Sequence, residues 1–182
     1  AGVGGLAAGY EHTCAWTTGG GALCWGRNDQ GTLGDGTRTD RPTPTTVSGL
    51  TSGVAAISAK GYHTCALTSG GGALCWGLGG FGQLGDGAGT SRDTPTAVSG
   101  LGSGVAAITT GYYHSCALTT SGGVLCWGDN GQGQLGDETL STRLTPTAVS
   151  GLGSGVVAIS AGDFDTCALT SGGGVLCWGY NS

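Results

Sequence analysis

Eight cysteines stand at positions 14 and 24, 65 and 75, 116 and 126, and 167 and 177. Within each pair the separation is 10, and from one pair to the next the shift is 51, without a slip of one residue. The stretch that carries each pair runs His12 to Gly26, His63 to Gly77, His114 to Gly128 and Asp165 to Gly179. An exact period of this size confines a chain to propellers, solenoids or arrays of small supersecondary units.

The unit around each pair reads as a β-hairpin. Thr64 to Leu67 and Ala73 to Trp76 are strand-length apolar runs on either side of Ser69-Gly70-Gly71-Gly72. If the hairpin is centred between its cysteines, Cys65 faces Cys75 and Leu67 faces Ala73. That centring puts an odd number of residues in the turn, as in a three-residue loop closed by a left-handed glycine. Facing residues on antiparallel strands lie about 4.5–5.5 Å apart at Cα, inside the roughly 4.4–6.8 Å that a disulfide accepts. Disulfides Cys14–Cys24, Cys65–Cys75, Cys116–Cys126 and Cys167–Cys177 are therefore expected, with reduced core cysteines as the alternative. Metal ligation is disfavoured because no Cys-x-x-Cys spacing occurs, and His12, His63 and His114 give way to Asp165 in the fourth copy.

The rest of the unit is equally regular. Gly2 to Gly9 aligns with Gly53 to Lys60, Gly104 to Gly111 and Gly155 to Gly162, an inner strand of small and β-branched residues expected to be buried. After Trp-Gly comes a longer connection in which Leu33, Leu84 and Leu135 are each followed by Gly-Asp, an Asp expected to bond its own turn. Thr43 to Val47, with counterparts Thr94 to Val98 and Thr145 to Val149, opens on a proline and suits an edge strand. The chain is thus expected to be all-β. It would form one repeat domain, 1–182, with units 1–51, 52–102, 103–153 and a partial 154–182, about 3.5 units of four antiparallel strands. Cys65 and Leu67 lie on one face of the hairpin, and Ala66, Leu74 and Trp76 on the other. Both faces are apolar, which fits a sheet sandwiched between neighbours. Trp16, in place of the repeat's Leu, marks an atypical first unit.

Composition excludes some functions. Of 182 residues 42 are Gly and only 9% are charged, with a net charge of −5. The six basic residues, Arg27, Arg38, Arg41, Lys60, Arg92 and Arg143, form no patch in the sequence, so no nucleic-acid partner is expected. No apolar run is long enough to span a membrane, and no signal peptide is visible, so a start at Ala1 reads as a mature or trimmed chain. Regularly paired cysteines point to an oxidising compartment.

The order Gly-x-x-His-x-Cys-Ala-Leu, Gly-x-Leu-Cys-Trp-Gly-x-Asn, Gly-Gln-Leu-Gly-Asp, Pro-x-x-Val, clearest from Gly111 to Val149, resembles the regulator of chromosome condensation repeat. The cysteine-rich form is similar to bacterial extracellular members. The resemblance implies a β-propeller, usually of seven four-stranded blades, of which this chain holds about half. A piece of a longer ring, a ring completed by a second chain, an open array and a small four-blade ring all follow as possibilities. Without its missing neighbours, the chain is expected not to persist as a lone monomer.

No catalytic set, cofactor site or metal site is visible, and the protein is expected not to be an enzyme. What varies while the scaffold stays fixed are loops, and these supply the candidate contacts: Tyr10, Glu11, Arg27, Asp29, Tyr62, Phe81, Tyr112, Tyr113, Asp129, Asp163, Phe164 and Tyr180. Aromatic and charged residues on rigid loops suit protein recognition. The expectation is an extracellular or cell-surface interaction or assembly module, of bacterial type, that binds a protein partner or other copies of itself. A structural surface or filament subunit is the alternative. An inhibitor-type propeller and a small-GTPase exchange factor, both implied by the resemblance, are less favoured.

Overall fold

The computed structural model describes residues 2–181, and every regular element among them is a β-strand. The first sheet holds β1 (Val3–Ala8), β2 (His12–Thr17), β3 (Ala22–Gly26) and β4 (Arg41–Thr46). The second holds β5 (Val54–Lys60), β6 (His63–Thr68), β7 (Ala73–Gly77) and β8 (Arg92–Ala97). The third holds β9 (Val105–Thr110), β10 (His114–Thr119), β11 (Val124–Gly128) and β12 (Arg143–Ala148), and the last β13 (Val156–Ala161), β14 (Asp165–Thr170) and β15 (Val175–Gly179). Each sheet is an antiparallel meander in chain order. The first strands, β1, β5, β9 and β13, pack side by side along a common axis, which makes each sheet a propeller blade.

The cysteine hairpins have the expected register. Cys65 pairs with Cys75 and Leu67 with Ala73. The Thr68 amide donates to the Gly72 carbonyl at 2.8 Å, enclosing a three-residue loop in which Gly71 takes φ 77°. That left-handed conformation is nearly free only to glycine. All four expected disulfides are present, with Cα atoms 4.1 Å apart. The spacing is closer than expected because each pair occupies a non-hydrogen-bonded position, where opposed strands approach most nearly.

The blades stack unlike face on unlike face. The disulfide face of the first blade (Cys14, Cys24, Ala22) joins Ala66 and Trp76 of the second in one core cluster, filled in by Leu33, Val47 and Leu50. Cys65, Leu67 and Cys75 meet Ala117 and Trp127 in the same way at the next junction. The third cluster joins Cys116 and Cys126 to Ala168, with Trp178 packed against it. Trp76 and Trp127 are fully buried, and burying a large apolar side chain contributes on the order of 2–3 kcal/mol.

Polar groups cross the same junctions. His12 Nε2 lies 2.8 Å from Thr64 Oγ1, His63 Nε2 2.8 Å from Ser115 Oγ, and His114 Nε2 2.9 Å from Thr166 Oγ1. Each hydroxyl in turn donates to a carbonyl of the preceding blade, that of Thr32, Gln83 or Gln134. The indole Nε1 groups of Trp76, Trp127 and Trp178 donate to those same three oxygens. A hydroxyl has one proton to give. Because that proton goes to the carbonyl, the imidazole must donate from Nε2, leaving Nδ1 unprotonated.

Two expectations need correction. The inner strands are not buried throughout: Ala55, Ala106 and Val157 are exposed, because each sits at a register irregularity where the strand leaves its ladder with the second strand, and Ile108 is only partly buried. The outer strands begin earlier than expected, at Arg41, Arg92 and Arg143, so Pro44, Pro95 and Pro146 lie inside them. A proline is tolerated there because the outer edge of each blade needs no donor. Val47, Val98 and Val149 fall just past these strands and turn into the core.

Candidate interaction surface

In an antiparallel meander the first-to-second and third-to-fourth connections emerge at one end, and the cysteine hairpin turn at the other. The variable residues before each His and after each Trp-Gly therefore share one end of the array. The first-to-second turns are also nearest the axis, so their side chains meet across blades. Tyr10 and Tyr62 have ring centroids 5.3 Å apart, Tyr62 and Tyr112 5.7 Å, Tyr10 and Tyr112 6.1 Å, and Tyr112 and Phe164 5.8 Å. From Tyr112 the chain of rings branches outward to Tyr113 at 4.6 Å and on to Phe81 at 4.4 Å. Backbone bonds fix the turns against one another: the Tyr10 amide donates to the Gly61 carbonyl and the Tyr112 amide to the Asp163 carbonyl, both at 3.0 Å. Six aromatic rings from four blades thus form one continuous surface. Tyr10, Phe81 and Phe164 are exposed, and Tyr62, Tyr112 and Tyr113 are half-buried.

Charged groups border the rings. Arg27 donates to Glu11 at 2.5 Å and to Asp29 at 2.9 Å, and the hydrogen bonds that these carboxylates accept hold its guanidinium more firmly charged than usual. Asp163 pairs with Lys60 at 3.2 Å. Asp129 turns inward and accepts from Gln134 Nε2 at 2.8 Å, so it serves the scaffold as well as the rim. A hollow of about 300 Å³ lies between blades, lined by Arg27, Asp29, Gln30, Tyr62, Leu78 and Tyr113. A second, of about 320 Å³, is lined by Gln132, Phe164 and Tyr180.

All twelve candidate loop residues thus fall at this end, but they do different work. Leu78, Gln30, Gln132 and Lys60 are additions. Leu78 occupies the variable position of Arg27 and Asp129, and its apolar character hid it. Lys60 was legible as the one charged residue in a run of glycines, at the position of Gly9, Gly111 and Gly162.

The repeat's other polar residues are structural. Asp35 accepts from the Thr37 amide at 2.9 Å and from Arg41 Nε at 2.7 Å, and Asn28 Nδ2 reaches the carbonyls of Thr37 and Thr39. Asp137, Thr139, Arg143 and Asn130 repeat the arrangement. Burial opposes the charge on Asp137, but the bonds from Thr139, Arg143 and Asn130 outweigh it and hold the carboxyl at about 2. Burial pushes the imidazoles of His12 and His114 down to about 4 and that of His63 to about 3, so all three are neutral at ordinary pH.

Three four-stranded meander blades and a three-stranded fourth around an axis, each stapled by one disulfide, define a β-propeller repeat array. The regulator of chromosome condensation (RCC1) repeat matches residues 19–67, 70–118 and 121–169, and the chain belongs to that family. It is 36% identical over 183 residues to the mitochondrial RCC1 domain-containing protein RUG3 of Arabidopsis thaliana, covering 96% of this chain and 41% of that protein. Its fold superposes on human WBSCR16 with a TM-score of 0.87 at 26% identity, covering 98% of this chain and 48% of the other. On Prp20p of Saccharomyces cerevisiae the TM-score is 0.83 at 27% identity, covering 98% and 44%. The chain therefore spans less than half the length of these relatives. Among the described residues no helix is long and apolar enough to cross a membrane.

Proposed function

We propose that this chain is a non-enzymatic interaction module that works in an extracellular, oxidising setting and holds a protein partner against the aromatic end of its blades. The observation that carries this reading is the run of six rings, contributed by four blades and fixed by inter-blade backbone bonds. Rigid aromatic side chains offer large contact area at low entropic cost, and they dominate binding energy at protein interfaces. Four disulfides support the oxidising setting. The imidazoles sit inside blade junctions, and the recurring carboxylates of Asp35, Asp86 and Asp137 pair with arginines of their own blades, which supports a binding role over a catalytic one. Prp20p, with the same fold, is a protein whose binding to Gsp1p and histones has been characterised.

The test is site-specific photocrosslinking. A photoreactive side chain placed at Phe81, on the aromatic end, is compared with one at Ser69, in a hairpin turn at the other end, using the source organism's secreted proteins. Adducts to a discrete protein from position 81 and none from position 69 are expected. Equal labelling from both ends, or none, overturns the reading. Adducts only between copies of the chain would assign the surface to self-association instead.

A further inference from the structure

Charge decides what kind of partner fits the aromatic end. The chain has six basic side chains, and each already faces a carboxylate: Arg27 with Glu11 and Asp29, Arg38 with Asp93, Arg41 with Asp35, Lys60 with Asp163, Arg92 with Asp86, and Arg143 with Asp137. The net charge of −5 is therefore a surplus of carboxylates with no cation of their own. Part of that surplus borders the rings. Arg27 stands between two carboxylates, so one negative charge is left over at Glu11 and Asp29, and Asp129 on the third blade faces only amides.

We infer that the aromatic end recognises an arginine-bearing segment of the partner protein, with a guanidinium entering the hollow between Tyr62 and Tyr113. This deepens the reading above and rests on it. The hollow of about 300 Å³ is the size of a side chain, not of a folded domain, and joins two phenol rings to Asp29, Gln30 and the apolar Leu78. A guanidinium stacks on an aromatic face while its planar N–H groups reach a carboxylate, and Leu78 suits its aliphatic stem. Arg27 at the rim does not oppose entry, because Glu11 and Asp29 already neutralise it. A second copy of this chain is a poor occupant, since among its described residues every lysine and arginine already faces a carboxylate. An acidic segment or a nucleic acid would meet the uncompensated carboxylates.

The experiment is fluorescence anisotropy with the oxidised chain and three labelled peptides of one Gly/Ser/Leu background, bearing arginine, lysine or glutamate at the same positions. The arginine peptide is expected to bind best, the lysine peptide more weakly and the glutamate peptide not at all. Its affinity should fall with added salt. Asp29→Asn, at an exposed position that the fold does not need, and Tyr62→Ser should each weaken it roughly tenfold. A thermal melt matching the parent shows that the variants remain folded.

Four outcomes overturn the inference: no arginine binding, equal binding of the glutamate peptide, equal binding of arginine and lysine, or arginine binding that Tyr62→Ser and Asp29→Asn leave unchanged, which is diffuse attraction to an acidic chain. Glutamate binding that Tyr62→Ser abolishes would sink this inference and leave the interaction surface standing. Absence of crosslinks from position 81 would remove the surface itself.

Discussion

The indole ring of Trp16 fills the space where a Cβ on Gly5 would stand, and the two residues are cross-strand partners in β1 and β2. In the other three blades the same pair is Ala56 with Leu67, Ala107 with Leu118 and Ala158 with Leu169. The larger ring and the missing methyl are two halves of one change. Gly5→Ala alone is expected to destabilise the chain by about 1–3 kcal/mol through overpacking. Trp16→Leu in that background should recover most of the loss. Urea denaturation of the four-member cycle measures the coupling. Strictly additive effects would show that the two positions do not share the space.

Gln83 Nε2 is buried and has no acceptor. One blade on, Gln134 Nε2 donates to Asp129, and Leu78 occupies the place of that Asp in the second blade. A buried donor without a partner costs about 1–3 kcal/mol. Leu78→Asp is accordingly expected to raise the stability measured by urea denaturation by about 1 kcal/mol, and Asp129→Leu to lower it by a similar amount. A stability loss for Leu78→Asp would mean that the carboxylate does not reach the amide.

The three buried imidazoles make the array acid-sensitive in a defined window. Their folded pKa values, about 4 for His12 and His114 and about 3 for His63, lie below the ordinary 6.5 because burial disfavours the cation. Below 6.5 the unfolded chain takes up protons that the folded chain refuses. Stability is therefore complete above about pH 6.5 and falls as the pH drops toward 4, by on the order of 3 kcal/mol per imidazole at the limit. Asp137, held at about 2, has an ordinary value of 3.8 and loses its contribution only below that, so the two effects separate. Urea midpoints between pH 7 and 4.5 should decline steadily. A flat profile down to pH 4 would falsify the placement of neutral imidazoles in the blade junctions.

Glu138 holds φ 62° at the position where Gly36 and Gly87 stand in the first two blades. A side chain in the left-handed region costs about 1–2 kcal/mol, offset in part by the greater freedom of glycine in the unfolded chain. Glu138→Gly is expected to raise stability by about 0.5–1 kcal/mol, read from the thermal midpoint, with no change in the circular dichroism spectrum.

Much of this architecture is contained in local sequence. The constant 10-residue cysteine spacing, the glycine-rich turn and the period of 51 determine the hairpins, their register and the disulfides. These features act over a few residues, through turn geometry and the two-residue alternation of strands. Apolar residues on both hairpin faces likewise announced a stacked sheet. What depended on the tertiary structure is everything that passes from one blade to the next. The bond from His63 to Ser115 joins residues 52 apart, and the Tyr10, Tyr62 and Tyr112 rings are separated by whole blades. The inner strands illustrate the limit: their composition reads as buried throughout, but a register irregularity after Val54 and Val105 leaves Ala55 and Ala106 unpaired and exposed. Alternation along a strand states which residues share a face. Only the stacking of the blades decides what that face meets.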